Sequence, residues 1–182
     1  MTTQTQSLVA DLPMLPSGSV DEVITLSTNG PWKTKSGGDL SVLFSFDSYL
    51  FSNFFDYSRN ELEKLPEDIR GLRSYRVSNI EKGKVGGLEF HRVRSEILYG
   101  LEGQVRLNCE DVYGGRRTLQ INEKNGVLLP PFILHTYTAE QKSDLLVFCN
   151  TIFPPEKEQL HDTYSKDVFQ ELQKKYRLLD LV

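Results

Sequence analysis

Four residues between positions 89 and 135 have side chains whose types and spacing suit a shared chemistry. Glu89 and His91 are two positions apart, so on a β-strand their side chains point to the same face. Glu96 lies five positions further on, and His135 follows a proline pair that closes a turn and opens another strand. We therefore expect two carboxylates and two imidazoles to meet inside a small barrel of strands.

Metal binding is one chemistry open to this set. His91, Glu96 and His135 would form a face of two histidines and one carboxylate, with Glu89 as a fourth ligand. Such a face leaves coordination positions open for substrate or dioxygen. It suits a divalent ion such as Fe(II), Mn(II), Ni(II) or Zn(II), and the residues do not choose among these ions.

Metal-free acid–base catalysis is the other chemistry. Imidazole titrates near neutral pH, so His91 and His135 could move a proton at a carbon next to a carbonyl group. A neighbouring carboxylate, Glu89 or Glu96, would orient an imidazole and hold it when it is charged. Tyr137 lies two positions after His135 and faces the same side of the strand, which makes it the candidate acid alongside these groups.

Other polar and reactive residues nearby are expected to play structural roles. Arg92 and Arg94 would face away from His91 on a regular strand, so we predict that they are solvated charges. Cys109 and Cys149 are the only cysteines, and both lie in apolar, strand-like runs. We predict that they are buried free thiols and not a disulfide.

The bulk composition narrows the class of protein. A chain of 182 residues suits one domain with a sizeable core. The net charge of −4 and the lack of a basic run interleaved with aromatic residues argue against nucleic acid as a partner. Neither a signal-peptide pattern nor an apolar run of about 18 residues is present, so we expect a cytoplasmic protein without membrane contact.

The organisation along the chain predicts a mostly β protein. Many short apolar runs separated by glycine and proline turns are typical of a barrel or sandwich. We predict a flexible arm at 1–20, an extension containing strands that packs on the barrel at 21–75, the barrel at 76–153 and a helical segment at 154–182. Within that last segment, apolar residues at three- and four-residue steps predict an amphipathic helix over 166–179 that covers apolar barrel surface or contacts a second copy.

The spacing of these residues resembles the two motifs of the cupin superfamily. The first motif is a glycine, five residues, His-x-His, three or four residues, Glu, six residues and a glycine. The second is a proline, one residue, a glycine, two residues and a histidine. Glu89 replaces the first histidine and Phe132 replaces the second motif's glycine. The resemblance implies an all-β, single-domain cupin, or jelly-roll, barrel. The matching residues are Gly83, His91, Glu96, Gly103, Pro130 and His135.

A narrower resemblance is to cupins that act on nucleotide sugars, the sugar 3,4-ketoisomerases and the dTDP-4-dehydrorhamnose 3,5-epimerases. Those carry an Arg-Gly-x-His-x-His or Arg-Gly-x-His-x-Gln strand, whereas residues 86–91 here lack the arginine and the first histidine. The resemblance implies an isomerase or epimerase of a nucleotide-linked keto sugar, working by histidine acid–base catalysis. We also expect a homodimer. Two alternatives stay open: a metal-dependent oxygenase or lyase, and a non-catalytic cupin that binds or senses a small ligand.

Overall fold

The computed structural model describes residues 18–57, 69–152 and 162–179, with the backbone alone for 177–179. Most of the arm predicted at 1–20 and part of the segment at 154–182 lie outside the described residues. A short 3₁₀ turn at Val20–Glu22 precedes the first strand. The strands are β1 Ile24–Ser27, β2 Asn29–Lys33, β3 Asp39–Val42, β4 Arg70–Ile80, β5 Val85–Phe90, β6 Glu96–Glu102, β7 Gln104–Glu110, β8 Arg116–Asn122, β9 Asn125–Leu129, β10 Leu134–Ala139, β11 Ser143–Thr151 and β12 Tyr164–Ser165, and the helices are α1 Ser48–Phe54 and α2 Lys166–Leu179.

Two five-stranded antiparallel sheets form the barrel. One sheet has the strand order β1-β9-β6-β11-β4, the other has the order β12-β5-β10-β7-β8, and β2 pairs with β3 in a separate hairpin. Leu98 and Val147 from the first sheet pack with Leu107 and Ile121 from the second in one buried cluster. The all-β barrel expected from the strand pattern is therefore confirmed, and its core lies between the two sheets.

Strand β7 shows why the sequence folds this way. Its side chains alternate between the interior and the surface, and the inward set is Val105, Leu107 and Cys109. Period-two alternation buries one apolar face of a strand, because successive side chains point to opposite sides of the sheet. Cys109 and Cys149 are both buried and unpaired, as the sequence predicted.

Helix α2 covers one outer face of the barrel. Its Phe169, Leu172 and Tyr176 are buried and pack against Phe90 of β5 and Leu134 of β10. These helical residues recur at three- and four-residue steps, which places them on one face of the helix. The helix predicted over 166–179 is thus confirmed. Of the described helices, neither is long and apolar enough to cross a lipid bilayer.

Truncation of the buried aromatic residue of α2 should lower the free energy of unfolding. We expect Phe169→Ala to cost about 3–5 kcal/mol, because it removes a fully buried ring and leaves a cavity. Gln170→Ala, at the neighbouring exposed position, should change stability by less than about 0.5 kcal/mol. Urea unfolding followed by circular dichroism measures both, and equal midpoints for the two variants would contradict the docking of α2.

Candidate functional site

Strand pairing brings the predicted site residues to one end of the barrel interior. Glu89 on β5 is the cross-strand partner of His135 on β10, and Glu96 on β6 is the partner of Cys149 on β11. His91 follows directly after β5, and its ring centroid lies 5.3 Å from that of His135. The two sheets thus supply one imidazole–carboxylate cluster, although His135 is far from the other three residues in the sequence.

Glu96 is the centre of this cluster. Its Oε2 lies 3.3 Å from Nε2 of His91 and 3.6 Å from Nε2 of His135. Its Oε1 accepts a hydrogen bond from the hydroxyl of Tyr75 at 3.4 Å and one from the thiol of Cys149 at 3.3 Å. Glu96 and both histidines are almost completely buried, whereas Tyr75 is 37% exposed.

The two imidazoles are oriented in the same way. Nδ1 of His91 lies 2.6 Å from the backbone carbonyl of Asp162, and Nδ1 of His135 lies 3.1 Å from the carbonyl of Ile133. A carbonyl oxygen only accepts hydrogen bonds, so each Nδ1 carries the proton. Each Nε2 faces the carboxylate of Glu96.

Arg94 lies inside this site, and the prediction that it is a solvated charge is wrong. Its side chain is buried, and its Nε lies 3.3 Å from Oε1 of Glu96. One guanidinium nitrogen lies 2.7 Å and 3.0 Å from the two ring nitrogens of His91, which places it over the imidazole face. The error arose because β5 ends at Phe90, so strand alternation does not extend through the irregular turn that follows.

Glu89 and the two histidines form the set that could hold a metal ion. One ligand atom from each of Glu89, His91 and His135 lies within 4.8 Å of the others, and Glu96 adjoins both imidazoles. Two imidazole nitrogens and carboxylate oxygens are a donor set that suits the divalent transition metals. The four residues that the sequence singled out for metal binding are therefore brought together.

Tyr137 lies on β10 beyond this cluster. Its ring lies over Gly86, where a Cβ atom would approach the phenol carbon to 2.2 Å, so the close contact requires glycine. Burial, and then the charge of Glu89, raise the pKa of Tyr137. Tyr137 is thus near Glu89, whereas the phenol in contact with Glu96 belongs to Tyr75.

The turn before β10 explains one departure from the motif. Phe132 has a φ of 62°, a left-handed conformation that glycine adopts without strain and that other residues adopt at a cost of about 1–3 kcal/mol. Its N–H donates to the carbonyl of His91 at 2.7 Å, and its ring is fully buried against Phe90. Phe132 therefore keeps the backbone shape expected of the motif glycine, and apolar packing offsets the strain.

Comparison with solved structures identifies the fold. QdtA, a sugar 3,4-ketoisomerase from Thermoanaerobacterium thermosaccharolyticum in complex with TDP, superposes with a TM-score of 0.56 at 15% identity, over 87% of this chain and 99% of that one. A 3,4-ketoisomerase from Helicobacter canadensis gives 0.56 at 13% identity, over 86% and 98%. The RmlC epimerase of Mycobacterium tuberculosis gives 0.52 at 14%, over 78% and 69%.

The chain has the cupin fold. At these identities the likeness concerns the fold, and it confirms the resemblance to the nucleotide-sugar cupins that the sequence motifs suggested. No family model and no curated protein sequence matches this chain.

The protonation states in the candidate site follow from burial and neighbouring charges. Burial alone would raise the pKa of Glu96, but His91, Arg94 and His135 outweigh it and hold that pKa well below its ordinary value. Burial lowers the pKa of His135, against the opposing effect of Glu96. Burial and then Glu96 raise the pKa of Tyr75 well above its ordinary value. The site therefore combines an ionised carboxylate, a neutral imidazole at His135 and a phenol that keeps its proton.

These shifts predict that acid destabilises the protein. His135 has a lowered pKa in the folded state, so below its ordinary value of 6.5 the unfolded chain binds a proton that the folded chain does not. Glu96 adds to the loss of stability below its ordinary pKa of 4.5, because folding stabilises its ionised form. We expect the melting temperature to fall as the pH is lowered from about 7 to about 4, through the ordinary pKa values of both groups. His135→Gln should flatten the plot of melting temperature against pH above about pH 5. Parallel plots for the variant and the wild type would contradict the lowered pKa of His135.

Sequence reasoning missed three side chains of the site. Tyr75, Arg94 and Cys149 all contact Glu96, and they come from β4, from the turn before β6 and from β11. The cross-strand pairs Cys149–Arg73 and Cys149–Glu96 set this arrangement. Strand parity within β4 places Tyr75 on the same face as Arg73, but only the pairing of β4 with β11 makes that face the inner one.

Proposed function

We propose that this cupin is an isomerase or epimerase of a nucleotide-linked keto sugar that works by acid–base catalysis. The observation that carries the proposal is the pair of buried imidazoles, His91 and His135, whose Nδ1 atoms bond to backbone carbonyls and whose Nε2 atoms both face Glu96. The neighbours of similar fold add support, because one of them is a 3,4-ketoisomerase in complex with TDP-4-keto-6-deoxyglucose.

The proposed reaction moves protons and needs no oxidant. Nε2 of an imidazole takes the proton from the carbon next to the substrate carbonyl, and the C–H electron pair forms the double bond of an enediol as the carbonyl oxygen gains a proton. Return of a proton to the neighbouring carbon, with loss of a hydroxyl proton, shifts the carbonyl. Return to the same carbon from the opposite face inverts that carbon.

Two phenols are candidates for the group that protonates the substrate oxygen. Tyr137 was the candidate from the sequence, and Tyr75 is favoured by its contact with Glu96 and its partial exposure. Comparison of Tyr75→Phe with Tyr137→Phe separates them, since each substitution removes one hydroxyl and keeps the ring. The variant that has lost the acid will show the larger drop in kcat.

The function is tested by incubating the protein with TDP-4-keto-6-deoxyglucose in deuterated buffer. NMR and mass spectrometry then follow deuterium uptake and the position of the carbonyl. We expect uptake at a carbon next to the carbonyl, followed by a shifted carbonyl or an inverted centre. Tight binding without any uptake would favour the non-catalytic, ligand-binding alternative.

A metal-dependent oxygenase or lyase is the second candidate, and the Glu89, His91 and His135 set favours it. Against it, the Arg94 guanidinium lies over His91 and beside Glu96. A fixed positive charge in contact with two of the four ligands repels a divalent cation in a buried site of low dielectric constant. This contact is why the acid–base proposal is placed first.

Metal analysis separates the two candidates. If a metal ion is bound, elemental analysis of protein purified without added metal or chelator will give a stoichiometric divalent ion. His91→Ala and His135→Ala will each lower that content, because a tight site needs its ligands. If acid–base catalysis is correct, EDTA will leave the deuterium exchange unchanged.

We further propose that the cupin is a homodimer. Strand β4 is 11 residues long and lies at one edge of its sheet, and it exposes Leu72. Trp32 and Leu40 of the β2–β3 hairpin are also about half exposed. Long edge strands with exposed apolar side chains favour association. Light scattering coupled to gel filtration will give twice the mass of one chain if this is right.

A further inference from the structure

Residues 162–165, just before helix α2, lie beside the turn that carries His91. Strand β12 pairs with the end of β5, with Tyr164 opposite Phe90. This pairing places Asp162 next to residues 92–94. The Asp162 carboxylate accepts three backbone hydrogen bonds, with Oδ1 bonding the N–H of Arg92 at 2.9 Å and Oδ2 bonding the N–H groups of Val93 at 2.9 Å and Arg94 at 2.8 Å. One side chain therefore fixes the whole backbone of this turn.

The same short segment contacts the reactive groups themselves. The backbone carbonyl of Asp162 accepts from Nδ1 of His91 at 2.6 Å, and the hydroxyl of Thr163 accepts from the guanidinium of Arg94 at 2.9 Å. The carboxylate thus anchors the turn from one side while the adjoining carbonyl selects the ring nitrogen that carries the proton. Because Nδ1 is held in this way, Nε2 is the nitrogen that faces Glu96.

Helix α2 connects this contact to the rest of the fold. The helix begins at Lys166, directly after β12, and its buried face packs against Phe90 and Leu134. Phe90 precedes His91 and Leu134 precedes His135 in the chain. The docked helix therefore packs against the residues that directly precede the two imidazoles in the chain.

We propose that Asp162 is a positioning residue that fixes the proton of His91 on Nδ1 and so makes Nε2 the proton-transferring nitrogen. The proposal deepens the proposed function, on which its catalytic meaning rests. The position of the proton on the ring can be measured without any substrate. Partners that orient metal-ligating histidines commonly contribute about 10–100-fold to metal affinity or activity, and we expect a contribution of the same order here.

The test uses the full-length protein labelled with ¹⁵N-histidine. The chain has three histidines, so His135→Gln and His161→Gln complete the assignment of the ring nitrogens. In the wild type we expect the His91 signals of a ring protonated at Nδ1. In Asp162→Ala the His91 signals should shift towards a mixture of both tautomers, and those of His135 should stay unchanged. In the exchange assay, kcat should fall about 10–100-fold with KM changed less.

Asp111→Ala is the matched control. Asp111 is a buried carboxylate that also accepts three backbone hydrogen bonds, from Val20 at 3.0 Å, Tyr113 at 3.1 Å and Gly115 at 2.8 Å. The Asp111→Ala variant should have a lower free energy of unfolding, and its His91 signals should match those of the wild type. Equal changes at His91 in both variants would overturn the proposal in favour of general loosening.

Asp162→Asn protects the test against a variant that fails to fold. The amide keeps one accepting oxygen and loses the other, so it weakens the anchor while preserving its shape. We expect an intermediate shift of the His91 signals. Unchanged His91 signals in this variant, or in a folded Asp162→Ala, would overturn the proposal. An absence of turnover on keto sugars together with the expected shift would refute the proposed function and leave the positioning role standing.

Discussion

Replacement of either buried imidazole should lower the rate of deuterium exchange into a nucleotide-linked keto sugar by about 10²–10⁴-fold. His91→Asn and His135→Asn each remove the Nε2 atom that faces Glu96 and keep a polar side chain of smaller volume. The substitution should lower kcat more than it raises KM, because the imidazole acts in the transition state of proton transfer and not in binding the sugar. Exchange followed by NMR in deuterated buffer measures it.

Thr136→Ala is the control for this prediction. Thr136 neighbours His135 on β10, and its side chain lines a cavity of about 260 Å³ on the outer face of its sheet, together with Asn108 and Thr118. The exchange rate of this variant should stay within about twofold of the wild type, since successive strand residues face opposite sides. Wild-type rates in both histidine variants would exclude acid–base catalysis by this pair.

Removal of the Glu96 carboxylate should be the most destabilising single change in the site. We expect Glu96→Ala to lower the free energy of unfolding by about 3–5 kcal/mol, because it removes the carboxylate that pairs with the buried charge of Arg94. It also removes the acceptor for Tyr75 and Cys149. Chemical unfolding at about pH 7, where the Glu96 carboxylate is ionised, measures the change.

Two other variants calibrate this effect. Glu102→Ala removes an exposed carboxylate from the other end of the same strand and should change stability by less than about 0.5 kcal/mol. Glu96→Gln keeps an accepting oxygen but loses the charge, so its loss of stability should lie between those of the two alanine variants. A stability of Glu96→Ala close to that of Glu102→Ala would contradict the buried pairing with Arg94.

Several parts of the fold could be predicted from local sequence. The inward residues of β7 alternate with polar ones, and the apolar residues of α2 recur at three- and four-residue steps, so each pattern identifies its element without a partner. Helix α1 was not predicted, since it lies among aromatic residues that also suit a strand. Asp47 was its available signal, because its carboxylate caps the helix by accepting from the N–H of Leu50.

The residue types and their spacing identified four reactive side chains at cupin spacing: Glu89, His91, Glu96 and His135. Spacing carries that information because strand parity and tight turns act over a few residues. The contacts of Tyr75, Arg94 and Asp162 with these residues become visible only in the folded chain. Those three depend on pairing between strands distant in the chain and on the end of alternation at Phe90, and contacts of this kind arise when the sheets and helix α2 pack together.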